Sequence, residues 1–399
     1  NRHSFGSQIQ VPWPQMAKVQ KKRDPWDTPA MRQYKALKNA HGDCVLFFRM
    51  GDFYEMFDED AITAHRTLGI TLTERTKGLP MAGGPFHAVD GYLRRMMDAG
   101  HRVAVCEQVQ DPAEAKGVVD RAVTRVLTPG TLVDDDLLDA GRANLVSAMD
   151  IDEGRREAHL ATAELSTGRF QICTVPLAEA VDVLARLGPA ELLVADTCDN
   201  DALLDRITAV TACAIARRPA WSFHATDGAA RLREHYGTTS LQGWGLTDDD
   251  PLTGAAGALL GFLLETQPAA GTNGALNHLQ PPRRLQDGDS MGIDASTLRS
   301  LEIERTLRTG SVEGSLLSTL QSCVTPMGRR TLRDWLCFPL RDQEAIEQRL
   351  DAGGFRQREG ALACGRQPRQ PAGHAAVCCL AAASAILNAF LHLHLDPLA

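Results

Sequence analysis

The chain has 399 residues, 44% hydrophobic and 23% charged, with a formal net charge of −8. That length exceeds what one core usually supports (~250 residues), so two to four domains are expected, and the composition is that of an ordinary globular protein. The negative balance excludes a protein that holds nucleic acid by a bulk positive field, but not one that uses a local basic patch.

Two stretches could supply such a patch: Lys18, Lys21, Lys22 and Arg23, and the run carrying Arg329, Arg330 and Arg333. Such a cluster alone is more often a solvated surface. The ten cysteines are scattered without a Cys-x-x-Cys pair. With no signal-like segment ahead of Lys21-Lys22-Arg23, reduced thiols in the cytoplasm are the expectation.

In chain order, residues 1–27 read as a flexible, polar lead-in. A mixed α/β module follows over 28–136. "MRQYKALKNA" is helical, with Met31, Tyr34 and Leu37 on one side and Thr28-Pro29 as cap and first-turn proline. "CVLFFRM" is a buried strand, "FYEMFDEDAITAHRTLGI" a helix, "GYLRRMMDAG" a helix stopped by Gly100, and "RVAVCEQV" a strand. "RVLTPGTLV" reads as strand, Pro-Gly turn, strand, which makes the order α-β-α-β-α-β.

A second domain is expected over 144–267. Three strand-like runs, "ANLVSAMDID", "AHLATAELST" and "RFQICTV", form a meander. "LAEAVDVLARLGPAELLVAD" then gives a helix, a Gly-Pro break and a strand, and "GAAGALLGFLLETQ" an apolar helix. A helical region spans 280–352. "STLRSLEIERTL" reads as helix throughout, and Thr325-Pro326 imposes a kink or a break within the following helical stretch. Residues 353–399 change character and read as a divergent tail, with a frame change or truncation expected near Gly353. Within it, Ala375 to Leu391 is free of charge, but its alanine content and Ser384 and Asn388 favour a buried segment over a membrane anchor.

The run "RMGDFYEMFDEDA" poses the functional question. If a helix starts near Phe53, then Tyr54, Phe57, Ala61, His65 and Leu68 form the core stripe, and Phe53 lies about 75° off its centre at ~100° per residue. Glu55 falls on roughly the opposite side. One reading makes Phe53 a helix-entry staple against Met50, with Glu55 solvated. The other makes Phe53 an exposed wedge. Apolar wedges inserted from the minor groove unstack and kink DNA at a cost of a few kcal/mol per step, less where pairing is already defective. A carboxylate beside such a wedge repels phosphates. It is useful there only through a base contact, as acceptor or, if protonated, as donor.

The stretches "TPAMRQYKALK…LFFRMGDFYEMFDEDA", "LPMAGGPFHAVDGYL", "VAVCEQVQDPAEAKGVVDRAVTRVLTPGT" and "MGIDASTLRSLEI" resemble the MutS family of bacterial DNA mismatch-recognition proteins over about residues 28 to 352. The resemblance implies that Phe53 is the wedge stacking on the mispaired base and Glu55 the glutamate that hydrogen-bonds it. Met50, Arg75 and Met81 would be supporting DNA contacts. It also implies a multidomain α/β fold: a mismatch-binding domain (28–136), a ribonuclease-H-like connector (144–267) and the start of an all-α core and lever domain (280–352). The implied partners are mismatched double-stranded DNA, a second copy of the chain and a MutL-type repair protein, in a cytoplasmic, nucleoid-associated setting.

The departures matter as well. Full-length family members use ATP and Mg²⁺, but no G-x-x-x-x-G-K-[ST] loop occurs here, so neither cofactor nor enzymatic activity is expected of this chain. Without the family's clamp and ATPase parts, a weakly binding monomer is expected. The acidic triplets at 134–136 and 248–250 sit in turn-like contexts and read as solvated loops rather than Mg²⁺ sites. His374 with Cys378, and His392 with His394, fall short of a zinc set. Two rival functions stay open: a Mg²⁺-dependent nuclease or base-flipping enzyme, and a truncated or protein-interaction product without mismatch preference.

Overall fold

The computed structural model describes residues 26–110, 119–132, 143–267, 276–285, 290–323, 325–349 and 351. The basic cluster at 18–23, the acidic triplet at 134–136, the apolar run 375–391 and the tail histidines and Cys378 lie outside these. Among the described residues no helix is long and apolar enough to cross a membrane.

The first unit is a six-stranded mixed sheet between helices. Helix α1 (Pro29–Ala40) begins as expected: Thr28 caps it by accepting from the Met31 amide, with Pro29 in the first turn. Strand β1 (Val45–Met50) is the anticipated apolar run. Next, the expected helix does not start. Residues Phe53–Phe57 form strand β2, and helix α2 (Glu59–Leu68) begins only after Asp58. The cause is local. Gly51, at φ 61°, and Asp52 make a two-residue turn that returns the chain antiparallel onto β1, pairing Met50 with Phe53.

A hairpin that the periodicity did not reveal comes next, β3 (Leu72–Thr76) and β4 (Leu79–Pro85), turning at Gly78 with φ 88°. Helix α3 (Val89–Asp98) and strand β5 (Val103–Gln108) follow as expected, then β6 (Arg121–Leu127). The second strand expected after Pro129-Gly130 is absent from residues 131 and 132, and its remainder lies outside the described residues. The sheet order is β3-β4-β2-β1-β5-β6. One face packs Leu46, Phe48 and Phe57 under Met31 and Tyr34 of α1; the other packs Phe47, Tyr54 and Met56 under α2 and α3.

The second unit opens with the expected meander, β7 (Leu145–Asp152), β8 (Glu157–Glu164) and β9 (Arg169–Pro176). Helix α4 (Ala180–Leu187) leads to β10 (Glu191–Ala195), helix α5 (Asp201–Thr211) to β11 (Ala214–Arg218), and α6 (Ala225–Tyr236) to α7 (Pro251–Thr266). The two-residue strand β12 (Arg283–Arg284) completes the order β11-β10-β7-β8-β9-β12. Helices α4 and α5 cover one face; α6 and α7 cover the other.

Helix α7 is buried nearly all round, and glycine lets α6 reach it. A Cβ on Gly257 would stand 2.2 Å from the Gly228 Cα, and one on Gly254 2.2 Å from the Phe223 carbonyl oxygen. The acidic triplet at 248–250 is structural: Asp250 caps α7 through the Leu252 amide, and Asp248 pairs with Arg233.

The helical third region is shorter-stepped than expected. Helix α8 (Ala295–Ser300) ends where Glu302 takes φ 49°, so "STLRSLEIERTL" is half helix and half irregular. Thr325-Pro326 breaks the next stretch cleanly into α9 (Leu316–Leu320) and α10 (Pro326–Cys337), with Thr325 as cap of the second.

One buried carboxylate ties the first two units together. Glu191, 1% exposed at the start of β10, accepts from the Thr128 hydroxyl and, at 3.1 Å, from the Gly130 amide in the loop after β6. Burial pushes its pKa up from the ordinary value of 4.5, and the two hydrogen bonds, Arg102 and Arg218 offset this only in part.

Gly257→Leu forces two helix backbones apart and lowers the unfolding free energy by about 3 kcal/mol in urea titrations. Gly91→Ala, which meets only open space on α3, raises it by up to about 1 kcal/mol. Because folded Glu191 holds its proton more tightly than unfolded Glu191, wild-type stability falls as pH rises from 4.5 towards the raised value. Urea unfolding between pH 4 and 8 should show a shallower fall in Glu191→Gln, and identical slopes would discount the buried charge.

Candidate nucleic-acid interface

Strand period, not helical period, decides what the "DFYEMF" run displays. On β2 successive side chains alternate between faces, so Phe53, Glu55 and Phe57 share one and Tyr54 and Met56 the other. Tyr54 and Met56 enter the core beneath α2 and α3. On the opposite face α1 covers Phe57 but does not extend to Phe53, which is 50% exposed. Glu55, between them, is half-buried.

Register gathers the other predicted residues around these two. Met50 is directly opposite Phe53 on β1, and Met81 on β4 is opposite Phe57, so both stand on the same face. Each is partly buried against the α1-side core. Arg75 reaches this face from β3, where its Nη1 donates to Glu55 Oε2 at 2.7 Å and its guanidinium lies 5.3 Å from the Phe57 ring centre. All five residues singled out from the sequence therefore meet on one face of one sheet.

The electrostatics of Glu55 are contested. Burial pushes its pKa above the ordinary carboxylate value, and the Arg75 charge and hydrogen bond, with the more distant Arg121, offset this only in part. Arg121 is a residue that sequence reasoning missed. It comes from β6, lies 5.0 Å over the Phe48 ring and donates to the Arg49 carbonyl at 2.7 Å. Nothing local in "DRAVTRVL" signals that position, which depends on β6 joining the sheet through β5. Arg49 and the exposed Phe86 were missed too: the Arg49 guanidinium lies 4.0 Å over the Phe86 ring, beside the Gly51-Asp52 turn.

The predicted basic run at 329–333 is not an open patch. Arg333 is buried and bonded to Glu304 at 2.6 Å and to the Arg186 carbonyl at 3.1 Å. Arg330 pairs with Glu164 at 3.0 Å, and Arg329 donates to the Cys323 carbonyl. Arg330 and Arg333 clamp α10 onto the second unit, so the charge has structural partners. Among the described residues no group of three or more His, Cys, Asp or Glu is placed to hold a metal ion.

Comparison with known proteins bears on the whole chain. The family model for MutS domain I matches residues 28–136, that for MutS domain II residues 144–280, and that for MutS domain III residues 296–360. The last of these runs beyond Gly353, where the composition changes. The chain is similar to a protein named DNA mismatch repair protein MutS from Rhodopirellula baltica, 44% identical over 348 residues. That alignment covers 82% of this chain and 38% of the relative. Three successive domain models in family order, over most of the sequence, lead to one conclusion: the chain belongs to the MutS family.

Proposed function

We propose that this chain recognises mispaired or looped-out bases in duplex DNA and so serves to start mismatch repair. One observation carries the reading: a half-exposed phenylalanine, Phe53, stands beside a half-buried carboxylate, Glu55, on the same face of β2. An aromatic ring entering from the minor groove must unstack a base step, which costs less where pairing is defective. The wedge therefore selects by deformability. Glu55 then meets the edge of the displaced base, with Met50 opposite Phe53 and Met81 opposite Phe57 as supporting contacts on the same face.

The matched domains support the wider assignment. Within the second unit the strands run in the order third, second, first, fourth, fifth, with only the second antiparallel to its neighbours. That order supports a ribonuclease-H-like connector, and the short helices after Met291 support the beginning of a core and lever domain. We divide the chain accordingly at about 136–144 and 267–280. A dimer in which one copy's Phe53 reads the mispair, a MutL-type partner, and ATP with Mg²⁺ belong to the longer protein, of which this chain spans 38% in the matched relative. No residue here is assigned a nucleotide role.

Fluorescence anisotropy with G·T-mismatched and matched duplexes tests the reading. The wild-type chain should prefer the mismatched duplex, and Phe53→Ala should erase that preference with a loss of roughly tenfold or more in mismatch affinity, the scale of one lost base stack. Equal wild-type affinity for the two duplexes would reject it. Glu55→Ala is expected to weaken mismatch binding while strengthening matched binding, since it removes a carboxylate that repels phosphates.

A further inference from the structure

Among the residues around Phe53, Arg75 has the least obvious geometry. It sits on β3, and β4 separates that strand from β2. With neighbouring strands ~4.8 Å apart, its guanidinium must cross a whole strand, ~10 Å, to meet Glu55. Three features make the crossing possible. The β3–β4 register shifts between Glu74 and Thr76, so Arg75 lies at the irregularity, a device that re-aims a side chain. The β4 residue directly opposite Glu55 is Gly83, and a Cβ there would stand 3.6 Å from the Glu55 Cγ and 2.9 Å from the Tyr54 carbonyl oxygen. The guanidinium also rests over the Phe57 ring, 5.3 Å from its centre. The hydrogen bond engages Oε2 alone; among the described residues Oε1 has no partner.

We propose that Arg75 is the positioning residue of the mismatch-reading carboxylate: reaching across β4, it fixes Glu55 through Oε2, favours its acceptor form, and leaves Oε1 to the base. This rests on the functional reading above and changes the part expected of Arg75, from supporting DNA contact to holder of Glu55. The groups facing Glu55 from each packed element are few. Arg75 comes from β3 and Arg121 from β6, while β1 offers Phe48 and Met50 and β4 offers Met81, Gly83 and Pro85, all uncharged. On β5 the Cys106 thiol is pushed up to about 12 by burial and stays neutral over the working pH range. Burial already outweighs Arg75 at Glu55; without Arg75 its largest offset is lost, and Glu55 takes up a proton at higher pH still. A protonated Glu55 offers the base a donor instead of an acceptor, and the preferred mispairs change with it.

The test begins with the full chain free of DNA. The Glu55 side-chain carboxyl carbon is followed by NMR across pH 4 to 9 in wild type, Arg75→Ala and Arg75→Lys, with circular dichroism to verify folding. The Glu55 midpoint should rise in Arg75→Ala and largely recover in Arg75→Lys; an unchanged midpoint overturns the proposal. Gly83→Val, which crowds the Glu55 side chain with Arg75 in place, should raise it as well, and a wild-type midpoint there would overturn the part given to Gly83.

Anisotropy with G·T and matched duplexes from pH 6 to 9 then separates the two roles of Arg75. As a positioning residue, its loss lowers the mismatch preference roughly tenfold at pH 8 and makes that preference pH-dependent, which Glu55→Gln does not. As a phosphate contact, its loss weakens both duplexes equally, lowers the salt slope by about one and adds no pH dependence, and that result also overturns the proposal. Wild type without any mismatch preference would reject the functional reading, while the carboxyl titration still decides what Arg75 does to Glu55.

Discussion

The arrangement of this protein's candidate site depends on the pairing of Met50 with Phe53 across the Gly51-Asp52 turn. A two-residue turn admits one register, and in a strand a slip of one residue moves every side chain to the other face. With the observed register, Phe53 and Glu55 stand on the face that α1 only partly covers, and Tyr54 and Met56 enter the core. The opposite register would bury a carboxylate and expose Tyr54 and Met56. Core packing and surface display are therefore specified by the same hydrogen bonds, and neither can be altered alone.

Much of the first two units was legible because their signals are local. Thr28-Pro29, the apolar run at 44–50 and the three strands of the meander each carry cap, turn or period signals within a few residues. The error at Phe53–Phe57 is instructive. Tyr54, Phe57, Ala61 and Leu68 are all buried, so a helical stripe could be drawn through them, yet two of them lie on a strand and two on the helix that follows. Five residues fit either period. Gly51, which turns the chain back onto β1, settles the choice. Phe53 and Glu55 emerged as surplus to the core either way, for a reason that the fold replaced.

What was not legible is tertiary. The β3–β4 hairpin has little apolar alternation, and Arg121 becomes a neighbour of Glu55 only after β6 has joined β5. Charge runs misled in the same manner. Arg329, Arg330 and Arg333 read as a patch in sequence, but their carboxylate and carbonyl partners come from distant segments, Glu164, Arg186 and Glu304 among them. A sequence shows the charge and conceals the partner. Glu191 is the sharpest instance: it follows a Gly-Pro break like any surface glutamate, and it is the buried anchor between two sheets.

The reach of Arg75 from β3 to Glu55 has an effect on timing as well as on space. Arg75 belongs to β3, which has a neighbour on one side only, whereas β2 is flanked by β1 and β4. Edge strands open locally at a free energy below that of global unfolding. Each such opening withdraws Arg75 from Glu55 while Phe53, held by β1 on one side and β4 on the other, stays in place. The position of Phe53 is thus a permanent feature of the fold, whereas the Arg75–Glu55 ion pair opens with a fraying edge, responsive to temperature and ionic strength in a way that the ring is not.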